Sequence, residues 1–499
     1  MRTTSSGRYI APLAILLSLP GVLEGQLISL KTVPVAAGDQ FLIFPSEHLA
    51  MGGVGIALDD PLADPFVNPA MAGRVVEPQV FAAPTFYSIS NNAGSARTLP
   101  AGALVTARGW FGGAYVAMQQ LDKGDQWFWP GPMWEDVLPP DALSRRSAVN
   151  KYAHGSFGRT FASSLSIGAS VFLADLRAMD GVEHLYSTAS DIAQSGHMED
   201  LRLGLSKQFP GDRRLEAVVL HHWFKMTHDV TYMEWVLVDS VPGDSIPGNW
   251  QQQTRLETNV DRSRTWGAHV GYHQPIGSRG WRIGGAFTMN RKSHPKIPNY
   301  EIMNIPRDPG HSSAFDIGFG LAKVTGRTTF GLDLVYEPAS SETWAVADGP
   351  VATASGDTIP SGGKTIENSF DFSNAFISMG VAHHVGPATF QAGLQVRSYG
   401  FHLDQWDNVA ETSRRQDEDW MEWVPSWGAT VRLADIDLRY MGRVTTGTGR
   451  PGVAWTGGAA ERLSDMAAAN DILLPPSGPL TLQDALVMTH QFSVSIPIR

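Results

Sequence analysis

From Glu77 to the C-terminus, apolar and polar residues alternate with a period of two. Leu165, Ile167, Ala169, Val171 and Leu173 alternate with Ser166, Gly168, Ser170, Phe172 and Ala174. Trp266, Ala268, Val270 and Tyr272 alternate with Gly267, His269, Gly271 and His273. The same pattern recurs over Trp281–Asn290, Phe315–Ala322, Phe390–Arg397 and Gln491–Ile498. Successive side chains of a strand point to opposite faces, so each run predicts a strand with one apolar and one polar face. The connections alternate as well. Long ones are expected at Asp122–Asn150, Arg177–Glu199, His228–Arg255, Arg291–Ser312, Ala339–Phe370, Asp404–Glu422 and Gly447–Asp484. Tight turns are expected at Arg108-Gly109, Ala162-Ser163, Pro210-Gly211, Gly277-Ser278, Thr325-Gly326, Gly386-Pro387 and near Ala434-Asp435. Short turns at one end and long loops at the other, joined by ~10-residue alternating segments, describe an antiparallel up-and-down transmembrane β-barrel. Counted directly from Pro78 to Ile498, the runs number about sixteen strands. A β-propeller would need a shared repeat of about 40–50 residues, and none is present. A soluble sandwich would need a second layer over every apolar face and linkers between its domains.

The chain ahead of the alternation is different. Arg2 and Arg8 precede an apolar run from Ile10 to Leu23, the order of charge and hydrophobicity in a secretory signal peptide. It is shorter than the ~20 residues that span a bilayer. The expected organisation is therefore a signal peptide over 1–25, a lumenal plug over 26–76 and a transmembrane barrel over 77–499. The centre of the plug is Ala50–Gly73, AMGGVGIALDDPLADPFVNPAMAG. Gly52, Gly53 and Gly55 let backbone pack closely, because no side chain intervenes. Pro65 and Pro69 forbid a long helix.

This stretch resembles the N-terminal signature of the FadL family of outer-membrane transport proteins. The matching residues are Met51, Gly52, Gly53 and Gly55, then Ala57, Asp59 and Asp60, then Asn68, Pro69 and Ala70. The resemblance covers about a twentieth of the chain. It implies location in the bacterial outer membrane and a barrel of about 14 strands, against the sixteen counted directly. It also implies passive uptake of long-chain fatty acids or other hydrophobic molecules, and a hatch whose movement around Asn68, Pro69 and Ala70 opens the route. Related barrels act as secretion scaffolds, and the signature alone does not separate the two. The chain ends in Ile498-Arg499 rather than on an aromatic residue, with Phe492 the nearest one.

Composition narrows the chemistry. The chain has 499 residues, no cysteine and a net charge of −11. No disulfide scaffold or thiolate zinc site is possible, and no basic stretch points to nucleic acid. Arg202, Arg282, Asp316, Asp333, Arg397, Arg432, Asp437 and Arg439 fall on polar faces. A lipid-facing Arg or Lys at mid-bilayer costs about 2–4 kcal/mol, so these faces are expected to line the lumen. There Arg202, Arg282, Arg397 and Arg439 either pair with carboxylates of the protein or hold a fatty-acid carboxylate bidentately. In the loop Asp122–Asn150, Trp127, Phe128, Trp129 and Trp134 form either a capture surface for an apolar substrate or part of an interfacial aromatic belt. Trp420, Trp423 and Trp427 fit the belt. His221, His222 and His228 have no matching acidic ligands at helical spacing, so they are expected to be surface or lumen histidines rather than a metal site. No catalytic motif and no cofactor site is evident. A monomer in contact with outer-membrane lipid and an apolar small molecule is the expected state. A protein-secretion scaffold and a lipid-acting barrel enzyme are the rival readings.

Overall fold

The computed structural model describes residues 26–75, 77–124, 143, 146–162, 164–184, 186, 189–237, 250–295, 309–451 and 482–498. The expected leader (1–25) lies outside them, as do Trp127, Phe128, Trp129 and Trp134.

The wall begins with a strand in two pieces, Gln79–Ala82 and Thr85–Ile89, together β1. Both pieces pair with the same two neighbours in one continuous register, Gln79 opposite Leu104 and Thr85 opposite Thr98. The break falls at Ala83-Pro84, where proline has no N–H for the ladder. There follow β2 (Gly94–Ala107), β3 (Trp110–Lys123), β4 (Ser147–Phe161), β5 (Leu165–Leu176), β6 (Ala189–Phe209), β7 (Arg213–Leu237) and β8 (Trp250–Ile276). The second half comprises β9 (Trp281–Ser293), β10 (Gly310–Thr325), β11 (Thr328–Val346), β12 (Lys364–Val385), β13 (Ala388–Asp407), β14 (Thr412–Arg432), β15 (Asp437–Pro451) and β16 (Leu482–Pro497). Each strand pairs antiparallel with the next, and β16 pairs with β1, so the sheet closes without a free edge. With the two pieces of β1 counted as one, the barrel has sixteen strands. The direct count is right, and the figure of about 14 taken from the resemblance is corrected.

All seven expected tight turns are present at one end of the barrel. The turn between β2 and β3 has positive φ at both Arg108 (50°) and Gly109 (80°), which matches the twist of a two-residue hairpin. At the opposite end, several expected loops prove to be strand. β13 and β14 stay paired out to Asp407 opposite Thr412, so the connection expected at Asp404–Glu422 is a four-residue turn. β7 and β8 run for 25 and 27 residues. At ~3.4 Å per residue, 27 residues extend roughly 90 Å, far more than a bilayer crossing of ~9–11 residues needs. These outer stretches have no lipid to face and so no apolar alternation. Backbone bonds hold them, with charge pairs such as Arg415 to Asp404 (2.8 Å).

Outward side chains divide the strands sharply. On β14 they are Met421, Trp423, Trp427 and Val431 toward the short turns, all exposed, then Asp419, Asp417, Arg415 and Ser413 beyond. On β12, Ile377, Met379, Val381 and Val385 give way to Ser373, Asp371, Ser369 and Glu367. A continuous exposed apolar band about eleven residues tall, on a closed barrel, is the surface of a protein embedded in the outer membrane. At its short-turn rim, cations lie over aromatic rings, Arg159 over Trp110 (4.9 Å) and Lys323 over Trp281 (4.8 Å). Such pairs seat the barrel at the water interface. Trp420 corrects the belt expectation, since it points inward and stacks on Tyr399 while Trp423 and Trp427 face out.

Candidate functional site in the barrel lumen

The inner face of the wall is covered by the N-terminal segment. Near the short-turn end, Ala50–Gly73 makes a lap around the inside. It lies against wall glycines: the Ala50 methyl against Gly428, the backbone of Met51 and Gly52 against Gly393 and Gly380, and the Val54 side chain against Gly331. Ile56 lies against Gly320 and Gly284, and Asn68 and Pro69 against Gly204 and Gly168. A Cβ at Gly380, Gly393, Gly284 or Gly204 would sit 2.1 Å from an atom of the segment, well inside contact distance. Several of these glycines are directly cross-paired, Gly331 with Gly380, Gly380 with Gly393, and Gly168 with Gly204. Together they form a recessed track in which the segment lies.

Polar groups fix it there. The Asp333 carboxylate accepts the N–H groups of Gly55 (2.7 Å) and Ile56 (3.1 Å). Ser426 Oγ accepts from Gly52 N–H (3.0 Å) and donates to the Ala50 carbonyl (3.1 Å). Asn68 does two jobs. Its Oδ1 accepts from Ala70 N–H (3.1 Å) and caps the short 3-10 helix Pro69–Arg74. Its Nδ2 donates to the Leu205 carbonyl and to Glu216, both at 3.3 Å. Pro69 and Ala70 are fully enclosed as the first residues of that helix. Of the three expected plug glycines, Gly52 is packed tightly. A Cβ added at Gly53 or Gly55 would meet nothing within 4 Å, and Gly53 serves instead through its φ of 75°. Close packing therefore belongs mainly to the wall glycines, which the reading of the plug alone missed. Their signal in the sequence is a glycine on the polar face a few residues from successive tight turns, as with Gly168, Gly284, Gly320 and Gly393.

All four candidate arginines point inward, and each meets a carboxylate of the protein. Arg202 bonds Asp200 (2.6 Å) and reaches Gln26 and the Val67 carbonyl, both at 2.8 Å. Arg282 pairs with Asp212 and lies 4.0 Å from Asp59. Arg397 lies 3.8 Å from Glu422, which also pairs with Lys31. Arg439 bonds Asp437 (2.8 Å) and lies 3.5 Å from Glu47. Asp59 is the hub of a denser group, with Arg214, Arg74 (2.9 Å) and His273 (3.5 Å) around it. Burial, reinforced by the charges of Asp60, Glu216 and Asp59, holds the Asp64 carboxyl well above the usual range. The three histidines are separated by strand alternation and by length. His221 faces out against Trp266 (4.3 Å), while His222 lies beside Asp200 and His228 beside Asp261.

On the long-loop side of the glycine track the interior turns apolar. Phe370, Phe372 and Phe401 form a triangle with ring centroids 5.8–5.9 Å apart. Leu403 completes the patch, and Ile28 and Leu30 of the N-terminal segment fill it. Across the lumen a larger cluster joins Phe41, Phe44 and Phe66 of the segment to Tyr115, Tyr152, Phe172 and Phe224 of the wall. Phe44 stacks on Phe66 at 4.2 Å, and Tyr115 donates to the Ile43 carbonyl (2.6 Å). Higher still, Asp39 is clamped by Arg443 (Nε at 2.9 Å) and Thr489. Asp180 accepts from Gly38 N–H (2.5 Å).

No protein-family model and no curated protein matches the chain. Solved structures do match over most of its length. The Ralstonia pickettii toluene transporter TbuX is 11% identical, with 96% of this chain and 99% of that one covered and a TM-score of 0.40. A Pseudomonas aeruginosa FadL homologue is 11% identical, with 93% and 100% covered and a TM-score of 0.42. The Pseudomonas putida toluene transporter TodX is 14% identical, with 90% and 97% covered and a TM-score of 0.38.

Proposed function

We propose that this barrel admits apolar small molecules, long-chain fatty acids among them, passively across the outer membrane, and that residues 26–76 act as its hatch. The supporting observation is the aromatic interior above the glycine track. The lumen of a water-filled porin is polar, whereas Phe370, Phe372, Phe401 and Leu403 present an inward greasy wall. Ile28 and Leu30 fill that patch and stand where a substrate's alkyl chain would lie. Each buried CH₂ of such a chain gains about 0.8 kcal/mol. The loop aromatics Trp127, Phe128, Trp129 and Trp134 are the proposed capture surface. Arg202, Arg282, Arg397 and Arg439 are the proposed carboxylate holders, each exchanging a protein carboxylate for the substrate's as the hatch shifts. Movement begins around Asn68, Pro69 and Ala70, where the segment's hydrogen bonds to β6 and β7 can pass to water. Gly52, Gly53 and Gly55 supply the bends at its other end.

The chain has no cysteine, so a single engineered disulfide can lock the hatch. A Cβ at Gly331 would lie 3.1 Å from that of Val54, and disulfides need about 3.5–4.5 Å. The Val54→Cys, Gly331→Cys protein in liposomes should take up labelled oleate when reduced and stop when oxidised. The long strands that project past the membrane favour a second reading, a scaffold for a protein partner. Equal, background uptake in both redox states by a folded barrel would leave the scaffold reading standing alone.

A further inference from the structure

Just beyond the apolar band, the outward face carries opposite charge in two sectors of the barrel. On β12–β14 it presents Asp371, Asp404, Asp417 and Asp419. On β7–β9 it presents Lys225, Arg262, Arg264 and Arg291, all exposed. The register brings these cations together. Lys225 stands directly opposite Arg262, with Arg264 the next outward residue on β8. Arg291 stands opposite Trp266, one outward position from Arg264's own partner Ser293. Like charges directly opposite on one sheet face are destabilising, and Lys225, Arg264 and Arg291 make no ion pair among the described residues. The outward carboxylates nearest in register are Glu199, opposite Trp223, and Asp229, which accepts from Thr258 (2.7 Å). Two tryptophans sit within the cluster. The Arg264 guanidinium lies 4.9 Å over the Trp223 ring, and Trp266 is 61% exposed at the top of the apolar band. Tryptophan at that level marks the boundary between acyl chains and headgroups. The cations therefore sit at headgroup height, above Val270, Phe287 and Met289, which face the acyl chains.

We propose that this sector is a binding site for the phosphorylated headgroup of an outer-leaflet lipid. Arginine forks match phosphate oxygens in pairs, and the phosphates of one headgroup, spread over Lys225, Arg264 and Arg291, relieve the repulsion in this sector. The lipid's acyl chains continue down the apolar face, so one molecule uses both surfaces. The assignment rests on the barrel being embedded with its long-loop end outward.

The test is native mass spectrometry of the full detergent-solubilised chain with a diphosphorylated glycolipid of the lipid A type. Wild type should retain one molecule. The dephosphorylated form should bind about tenfold more weakly or worse, since it lacks the charge-assisted bonds to the cations. A Lys225→Gln, Arg262→Gln, Arg264→Gln, Arg291→Gln protein should lose the preference, while Arg415→Gln in the acidic sector should keep it. Equal binding of the two lipids by wild type, or an unchanged preference in the quadruple variant, would overturn the proposal. Displacement by millimolar inorganic phosphate would also overturn it, because the site would then take free phosphate. If the quadruple variant does not fold, the two-lipid comparison on wild type and Arg264→Gln decides. Insertion of wild type into phosphatidylcholine vesicles is scored separately, and failure there counts against the membrane reading itself.

Discussion

Substituting Gly393 by alanine puts one methyl group where the wall and the N-terminal segment touch. The new Cβ would lie 2.1 Å from Gly52 N and 2.2 Å from Met51 C. Both neighbours are backbone, so neither can swing aside as a flexible side chain could. The segment must move by roughly 1 Å before ordinary contact is regained, and the wall cannot yield because Gly393 is paired on both sides, with Gly380 and Ser426. Overpacking of this kind costs about 1–3 kcal/mol. Only the seated state bears that cost, so the ratio of seated to displaced segment should fall by roughly 5- to 150-fold. The control is Gly155→Ala, also in the wall, where a Cβ meets nothing within 4 Å. Both proteins would be reconstituted and the N-terminal segment probed by limited proteolysis from the short-turn side, with oleate entry followed in parallel. Gly393→Ala should be cut faster and admit oleate faster, while the intact barrel keeps its heat-modifiable gel shift. Gly155→Ala should match wild type. Equal cleavage and equal entry in all three proteins would refute the idea that the segment is seated by backbone contact with the glycine track.

Asp333→Asn weakens two backbone bonds to Gly55 and Ile56 and should loosen the same segment by about 1–3 kcal/mol, seen as faster proteolysis. Asp39→Ala leaves Arg443 buried without its carboxylate and should lower stability by about 3–5 kcal/mol, read as a lower melting temperature in detergent. At the outer end, burial and then the charge of Glu183 push Asp180 up to about 7, from an ordinary value of 3.8. The folded state therefore holds this proton more tightly than the unfolded chain. Its contribution is full below about pH 4, is lost as pH rises toward 7, and does not recover above that. Melting temperature should thus be higher at pH 5 than at pH 8, and Asp180→Asn should shrink the difference.

Most of the wall was legible because the bilayer writes its demand into every second residue. Phe315, Ile317 and Phe319 face lipid, and their alternation with Asp316 and Gly318 is the same in sequence and in structure. The outer halves of β7, β8, β13 and β14 were not legible for the complementary reason. A stretch such as Thr412-Ser-Arg-Arg-Gln-Asp-Glu-Asp419 has water on its outward side, so its pairing with β13 depends on backbone bonds that leave no pattern in side-chain type. The strand number was better read from the alternation than from the resemblance, because a signature in one twentieth of the chain says nothing about how many hairpins follow. The stretch Ala50–Gly73 stands out in the sequence by its glycines and prolines. Its partners were hidden, since a glycine at an inward wall position looks like any small residue until the backbone it admits is known. Trp420 was misplaced for a similar reason. Three tryptophans within eight residues look alike, yet strand parity sends Trp423 and Trp427 to lipid and Trp420 to the lumen.

The two ways in which the N-terminal segment is held differ in what it costs to break them. Bonds such as Asp333 to Gly55 or Asn68 to Leu205 lie at the short-turn end, where water is at hand once the segment shifts. Exchanging them for water changes the free energy by only about 0.5–1.5 kcal/mol each. The apolar contacts of Ile28 and Leu30 with Phe370, Phe372 and Phe401 lie deeper, and exposing such side chains costs about 1.5–3 kcal/mol apiece. An apolar molecule arriving from the loops can replace those contacts with its own, whereas water cannot. Displacement of the segment would thus be inexpensive only as a greasy ligand takes over the aromatic patch from Ile28 and Leu30. Under the proposed gating, occupancy would couple to opening: the polar end would yield to water, and the apolar end to substrate. Polar solutes, which offer nothing to Phe370 or Phe401, would leave the segment seated. The account requires Phe370→Ser, Phe401→Ser to raise the proteolysis rate of the N-terminal segment without oleate, because the contacts that hold Ile28 and Leu30 are gone, and to abolish the further rise that oleate causes in wild type. A variant whose cleavage without oleate matched wild type and still rose with oleate would separate the aromatic patch from the opening and remove the coupling.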